Sequence, residues 1–184
     1  LGNCHPEILE AVDQANRRFG FHYDHPLRYD LAEMLADIVP ARALPRTNYE
    51  VSGTEAAEAA VHLALTHTRR RYIITFGSSY HGMGLATKVL SGIDGGMSTY
   101  LEGWGGGVIK APYPYRVRIP GGMTEEQYTD YCLWYLDDHI PSSIAARDNI
   151  AGIMVEPGIA EGGNWIPSTR FLSGIRDICN KNDW

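Results

Sequence analysis

Apolar residues recur every three or four positions in several stretches of the chain, as expected for helices that bury one face. One of these stretches is rich in alanine, whose small side chain lets a helix lie close to a sheet. Another begins with T-E-E-Q at residues 124–127, which matches a capping box. Helices are therefore predicted at residues 6–18, 27–39, 56–66, 124–139 and 168–180.

Short runs of β-branched, aromatic or continuous apolar residues predict strands at 49–51, 72–76, 108–111 and 150–155. The last run is almost entirely apolar, as expected for a parallel strand covered on both faces. Residues 92–107 include seven glycines, which predicts a mobile loop. Strands that alternate with helices predict an α/β fold with a mainly parallel sheet, and such sheets bind ligands beyond the carboxyl ends of their strands.

Composition narrows the class of protein. The 184 residues are 44% hydrophobic, enough for one sizeable core in one domain or in part of a larger one. A net charge of -6 argues against nucleic-acid binding, and no apolar run approaches the roughly 18 to 20 residues of a membrane-spanning helix. Three widely spaced cysteines fit reduced thiols, so a cytoplasmic protein is expected. Leu1 and Trp184 both look like cut ends.

The turn Ser52-Gly53-Thr54 directly precedes the alanine-rich helix. Free backbone N–H groups, two hydroxyls and a helix dipole at such a turn suit a phosphate group. The alternative interpretation is an ordinary helix N-cap, because Ser, Thr and Gly are common at helix starts. The sequence has no Walker phosphate-binding motif.

Two further polar segments follow predicted strands. Tyr80-His81-Gly82 offers an aromatic face and an imidazole beside a glycine that allows close approach of a ligand, although a tyrosine packed under a loop is the alternative. Glu156 and Glu161 lie in a glycine-rich segment after the last strand, where solvated acids are the alternative. The histidines lack metal-ligand spacing, so no metal site is predicted.

Four motifs occur in a characteristic order: G-N-C-H-P-E-I at 2–8, N-Y-E-V-S-G-T-E-A-A-E-A-A at 48–60, S-S-Y-H-G at 78–82 and I-M-V-E-P-x-x-x-E-G-G at 153–163. Together they resemble the class III (ω-amino-acid) aminotransferase family of pyridoxal-phosphate (PLP) enzymes of fold type I. The resemblance covers essentially the whole chain. It implies that residues 1–40 lead as a helical segment into the large domain, and that residues 41–184 form the first part of that PLP-binding domain, incomplete at both ends.

The resemblance also implies roles for individual residues. Ser52, Gly53 and Thr54 would hold the PLP phosphate. Tyr80 would stack on the pyridine ring, with His81 beside it, and Glu156 would line the pocket near the polar edge of the ring. Glu161 resembles the acid that pairs with a switchable arginine located beyond this chain. Met83 stands where many members have an arginine that grips a substrate carboxylate, which favours an amine substrate or an amino acid recognised by another group.

The Schiff-base lysine of the family has no counterpart here, because Lys88, Lys110 and Lys181 do not match its position. The chain alone is therefore expected to be inactive. It is also expected to be poorly soluble, because a sheet short of its remaining strands exposes apolar edges. Its parent is expected to move an amino group from an amine or ω-amino acid to a keto acid such as pyruvate or 2-oxoglutarate, as a homodimer or larger homo-oligomer. A racemase, epimerase or decarboxylase of the same family, or a non-catalytic truncated homologue that binds or pairs with a partner subunit, are the alternatives.

Overall fold

The protein is represented by a computed structural model, which describes residues 3–19, 25–40, 43–93, 101 and 106–184. It divides into two compact units, Leu1–Tyr49 and Glu50–Trp184. The sequence-based division after residue 40 stays a prediction. Most of the glycine-rich segment 92–107 lies outside the described residues.

The first unit contains two helices, α1 (Pro6–Phe19) and α2 (Pro26–Ile38), which confirms both predictions to within a residue. His25 caps α2, since its Nδ1 accepts a hydrogen bond from the backbone N–H of Leu27 at 3.2 Å. Apolar residues of α1, such as Val12, remain about half exposed within this chain. The amphipathic pattern therefore forms the helices without burying them in a core of their own.

The predicted strand at 49–51 is wrong, because the chain there pairs with none of the described strands. Tyr49 instead donates its hydroxyl proton to the carbonyl oxygen of Arg28 at 2.7 Å. Val51 is 94% exposed. A β-branched residue favours a strand only where a neighbouring strand is available, and none is adjacent here.

The second unit is built on a three-stranded parallel sheet with the order β2-β1-β3. Its strands are β1 (Tyr72–Phe76), β2 (Val108–Ala111) and β3 (Ile150–Ile153). β1 lies in the centre and is buried along most of its length. This confirms the predicted α/β class with a parallel sheet, and β3 ends two residues earlier than its apolar run.

Helices cover both faces of the sheet. On one face, α3 (Gly53–Thr68) and α4 (Leu85–Leu90) pack against Ile73 and Ala151. On the other face, Ile74 and Phe76 pack against α5 (Glu125–Trp134) and α7 (Thr169–Asn182). Alternate residues of β1 thus point into two separate cores, which is why apolar residues do not simply alternate with polar ones along this strand.

The capping box at Thr124 is present, but the helix that it starts changes character at Tyr135–His139, which forms a π turn before α6 (Ile140–Ser143). Pro141 has no N–H to donate to the carbonyl of Asp137, four residues earlier. The Arg147 guanidinium donates to that carbonyl instead. In the described parts of the chain, no helix is long and apolar enough to span a membrane.

Candidate functional site

The N-terminus of α3 forms one wall of an open cleft of about 400 Å3 at the carboxyl ends of the strands. Ser52 is the N-cap, and its Oγ accepts the N–H of Glu55 at 3.3 Å. At Gly53 the space that a Cβ would fill is open. The cleft is lined by Ser52, Gly53, Thr54, Ala57, Tyr80, His81 and Gly82.

The opposite wall is the segment that leaves β1. Its glycine, Gly82, has φ = +134°, and a Cβ there would lie 2.5 Å from Oγ1 of Thr54. The same Oγ1 accepts the backbone N–H of Met83 at 3.2 Å. Thr54 therefore joins the two walls, and only glycine lets the backbone approach so closely.

His81 combines a fixed backbone with an unsatisfied ring. Its N–H donates to Oγ of Ser91 at 2.8 Å. Its Nε2 is buried and has no hydrogen-bond partner among the described residues. Burial lowers the pKa of His81 below 6.5, while Glu156 raises it and Lys110 lowers it further. The imidazole is therefore neutral at pH 7 and retains a buried ring nitrogen that needs a partner.

Glu156 fixes the loop that carries Tyr80. One carboxylate oxygen accepts the N–H of Tyr80 at 2.9 Å, and the other accepts the N–H of Ala160 at 3.2 Å. The buried Tyr113 hydroxyl donates to the Glu156 carbonyl at 3.2 Å. Burial first, and then the negative charge of Glu156, raise the pKa of that tyrosine. In this structure Glu156 contacts the backbone behind Tyr80 and is not among the residues that line the cleft.

The remaining predicted residues lie around the cleft. Glu161 is exposed on a loop closed by an antiparallel bridge between Ile159 and Trp165. Its neighbour Gly162 packs on the loop after β1, where a Cβ would lie 2.1 Å from the carbonyl oxygen of Ser78. Met83 is 62% exposed. The structure thus brings five predicted residues together in the cleft. Glu156 and Met83 adjoin it through backbone contacts, and Glu161 lies on an exposed loop that packs on the segment after β1.

Sequence reasoning missed Lys110 and Ser91. The ammonium of Lys110 donates to the carbonyls of Leu90 and Ser91 and to Oγ1 of Thr75, at 2.6, 2.8 and 3.0 Å. The signal in the sequence was a lysine between apolar residues of a predicted strand. In the structure Lys110 lies opposite the buried Thr75.

Comparison with known proteins decides the family. The sequence model described as "Aminotransferase class-III" matches residues 1–184. The chain belongs to the class III aminotransferase family. This confirms the resemblance on which the predicted fold and site residues depended.

Relatives named as an aminotransferase and an aminomutase align with nearly all of this chain. It is 31% identical, over 99% of its length, to a probable 4-aminobutyrate aminotransferase of Bacillus subtilis. It is 33% identical, over 99% of its length, to a glutamate-1-semialdehyde 2,1-aminomutase of Lachnoclostridium phytofermentans. These alignments cover 42% and 39% of the two relatives. The chain thus spans about two fifths of their length.

Solved structures of the family share the fold. An ω-aminotransferase from Paracoccus denitrificans aligns with a TM-score of 0.82 at 26% identity, over 97% of this chain and 41% of that one. An amine transaminase from an uncultivated Pseudomonas species, solved in a PLP-bound form, aligns with a TM-score of 0.87 at 21% identity, over 99% and 43%. The large-domain fold expected from the class III resemblance is therefore present.

Proposed function

We propose that the full-length protein containing this chain is a PLP-dependent aminotransferase that moves an amino group from an amine or ω-amino acid to a keto acid such as pyruvate or 2-oxoglutarate. The cleft between the N-terminus of α3 and the Tyr80-His81-Gly82 segment, in a chain of this family, carries the proposal. Two relatives named for 4-aminobutyrate and 5-aminovalerate support the ω-amino-acid class.

The residues of the cleft fit PLP. The phosphate would lie at the start of α3, where the backbone N–H groups of Gly53 and Thr54 are available to an anion. The Ser52 hydroxyl donates to Oε2 of Glu55 at 3.3 Å and would have to turn from that carboxylate to join them. Tyr80 would stack on the ring. The buried, unpartnered Nε2 of His81 marks a polar position that a ligand would satisfy. The anionic, aromatic and polar parts of the cofactor thus each meet a suitable group.

Bound PLP would supply an electron sink for the carbon that carries the transferred amine. The residues of this chain would bind and orient it. Glu156 would hold the Tyr80 backbone so that the aromatic face stays aligned with the ring. A neutral His81 would add no charge of its own beside the cofactor. We further propose that Glu161 and Met83 contact the substrate, and that the uncharged Met83 favours amines.

The experiment combines borohydride trapping with product analysis on the full-length protein. We expect an absorbance band between about 320 and 430 nm that borohydride fixes to a lysine, because PLP enzymes hold the cofactor through a lysine imine. Peptide mapping should place that lysine outside residues 1–184. Incubation with 4-aminobutyrate and 2-oxoglutarate, or with 1-phenylethylamine and pyruvate, should yield glutamate or alanine. A protein that traps PLP but forms neither product from any amine tested would contradict the aminotransferase assignment.

An intramolecular reaction is the second candidate, because several relatives at 30 to 33% identity are named glutamate-1-semialdehyde 2,1-aminomutases and one at 26% is named isoleucine 2-epimerase. An isomerase of this kind needs no keto-acid acceptor. The two candidates separate in one assay. Conversion of glutamate-1-semialdehyde, or loss of isoleucine configuration, without added keto acid would replace the aminotransferase assignment.

We also propose that the full-length protein is a cytoplasmic homodimer and that this chain alone does not transaminate. The dimer proposal rests on the family, whose active sites are generally built across two subunits. The inactivity proposal rests on Lys88, Lys110 and Lys181, none of which occupies the position of the family's Schiff-base lysine. Light scattering of the full-length protein, and the amine assay repeated on the 184-residue chain, test the two statements.

A further inference from the structure

We infer that Lys110 is a positioning residue for the cofactor cleft: its ammonium clamps the end of α4 to the sheet and thereby fixes Ser91, which holds the backbone of His81. This inference rests on the proposed PLP site. It gives a role to Lys110, which is neither the Schiff-base lysine nor one of the residues that line the cleft.

The first step is the contact set of the ammonium. Lys110 lies on β2 opposite Thr75 of β1, and its Nζ donates to Oγ1 of that fully buried threonine at 3.0 Å. It also donates to the carbonyls of Leu90 and Ser91 at 2.6 and 2.8 Å. These carbonyls end α4, where helix geometry leaves oxygens without intrahelical donors and the helix dipole favours a cation. Three oxygens in two elements therefore converge on one ammonium.

The second step leads from α4 to the cleft. The hydroxyl of Ser91 accepts the N–H of His81 at 2.8 Å and donates to the carbonyl of Thr87 at 2.8 Å. The next residue, Gly92, donates its N–H to the Ser79 carbonyl at 2.7 Å. A Cβ at Gly92 would lie 2.4 Å from the Phe76 carbonyl oxygen, so this turn lies directly against the end of β1. Movement of the end of α4 would therefore displace the segment that carries His81.

The third step concerns charge. The Lys110 side chain lies on an exposed strand edge, yet burial of its ammonium lowers its pKa to about 8. This reverses the usual arrangement of a lysine, in which the stem packs on apolar surface and the ammonium stays in water. Among the described residues, the charges of Lys110 and Glu156 act on the imidazole of His81 in opposite directions. Removal of the ammonium should thus loosen the His81 backbone and raise the pKa of its ring.

The test uses the full-length protein with Lys110→Met, which keeps most of the stem volume but removes the donors and the charge. Lys181→Met is the matched control, because that ammonium donates to both carboxylate oxygens of Asp137, on the π turn before α6. We expect Lys110→Met to weaken PLP binding about tenfold, by analogy with metal sites, where loss of a hydrogen-bond partner of a ligand lowers affinity about 10- to 100-fold. Lys181→Met should leave PLP affinity unchanged.

Two measurements without cofactor separate this inference from the proposed function. Hydrogen exchange of the His81 amide should accelerate, and the pKa of His81 followed by NMR should rise, in Lys110→Met but not in Lys181→Met. If the wild-type protein binds no PLP, the proposed function fails while these two readouts still test the clamp. The proposed role of Lys110 would be wrong if Lys110→Met exchanged its His81 amide at the wild-type rate and left the pKa of His81 unchanged.

A second variant keeps the test decisive if Lys110→Met does not fold. Ser91→Ala removes only the hydroxyl that links the end of α4 to His81. We expect it to weaken PLP binding and to accelerate exchange of the His81 amide to a similar extent. If Ser91→Ala kept the wild-type PLP affinity and the wild-type exchange rate of the His81 amide, the proposal that Lys110 acts on the cleft through Ser91 would be wrong.

Discussion

Replacement of Gly82 by alanine should destabilise the protein severely, because the backbone conformation and the space around it both exclude a side chain. Its φ of +134° lies in a region that L-residues rarely adopt. The new Cβ would lie 2.5 Å from Oγ1 of Thr54, 2.8 Å from Oγ1 of Thr87 and 3.0 Å from Cα of Thr54. One of these contacts is with backbone, so rotation of a side chain does not relieve it.

The magnitude follows from two separate penalties. A residue held in an unfavourable backbone region costs about 1 to 3 kcal/mol. Overpacking of a close contact costs about a further 1 to 3 kcal/mol. The expected loss is therefore about 2 to 6 kcal/mol, a large part of the roughly 5 to 15 kcal/mol that a folded protein has. The cofactor should bind more weakly as well, since Gly82 lines the cleft.

The assay is urea unfolding of the full-length protein, with two other glycines as a graded series. Gly84→Ala should cost less, because Gly84 has an ordinary φ of −67° and its new Cβ would meet side-chain atoms rather than backbone, with Oε1 of Glu58 at 2.6 Å and Cγ2 of Thr54 at 2.8 Å. Gly121→Ala should be neutral or stabilising by up to about 1 kcal/mol, since nothing lies within 4 Å of its Cβ position. Equal unfolding midpoints for Gly82→Ala and Gly121→Ala would refute the reasoning.

Three further predictions concern the cleft. Thr54→Val removes the acceptor of the Met83 N–H and a donor for the phosphate. We therefore expect PLP to bind about tenfold more weakly in a fluorescence titration, and an unchanged affinity would contradict the proposed phosphate site. Glu156→Gln places an amide NH2 group against the backbone N–H of either Tyr80 or Ala160, so that one of the two loses its acceptor. Urea unfolding should therefore show a free energy of unfolding lower by about 1 to 3 kcal/mol. Burial lowers the pKa of His81 in the folded protein below 6.5, the ordinary value expected in the unfolded chain. As the pH falls below about 6.5, the unfolded chain therefore binds the proton more readily than the folded protein, and the free energy of unfolding decreases. His81→Gln should reduce this pH dependence of the unfolding free energy, and an identical slope in both proteins would contradict the assignment.

The sheet and most helices were predictable because their signals are local. The run Tyr72–Phe76 and the run Val108–Ala111 became strands with the predicted bounds, since each holds apolar residues on both faces of the sheet. The π turn at Tyr135–His139 was not predictable in this way. The Arg147 guanidinium donates to the Asp137 carbonyl that Pro141 leaves without its helical partner, and a helical pattern does not indicate a contact between two residues ten positions apart.

The candidate site also contains residues that could be predicted from the sequence and residues that could not. The motifs around Thr54 and Tyr80 were recognisable because their order along the chain resembles that of the class III family, although each motif alone had an ordinary structural interpretation. Lys110 was not recognisable, because a lysine on a short strand usually reads as a solvent-facing edge residue. Its contacts to Leu90 and Ser91 exist only after the connection between β1 and β2 has folded over the sheet.

The geometry of Thr54 explains why the two motifs must occur together. Its hydroxyl oxygen accepts the Met83 N–H, and the same oxygen occupies the space that any side chain at position 82 would need. The start of α3 therefore reaches its position only if the segment after β1 contains glycine there, and that segment is aligned only if position 54 offers an acceptor. Each wall of the cleft thus depends on a residue of the other, so a change at Thr54 or at Gly82 should disturb phosphate binding and the alignment of His81 together.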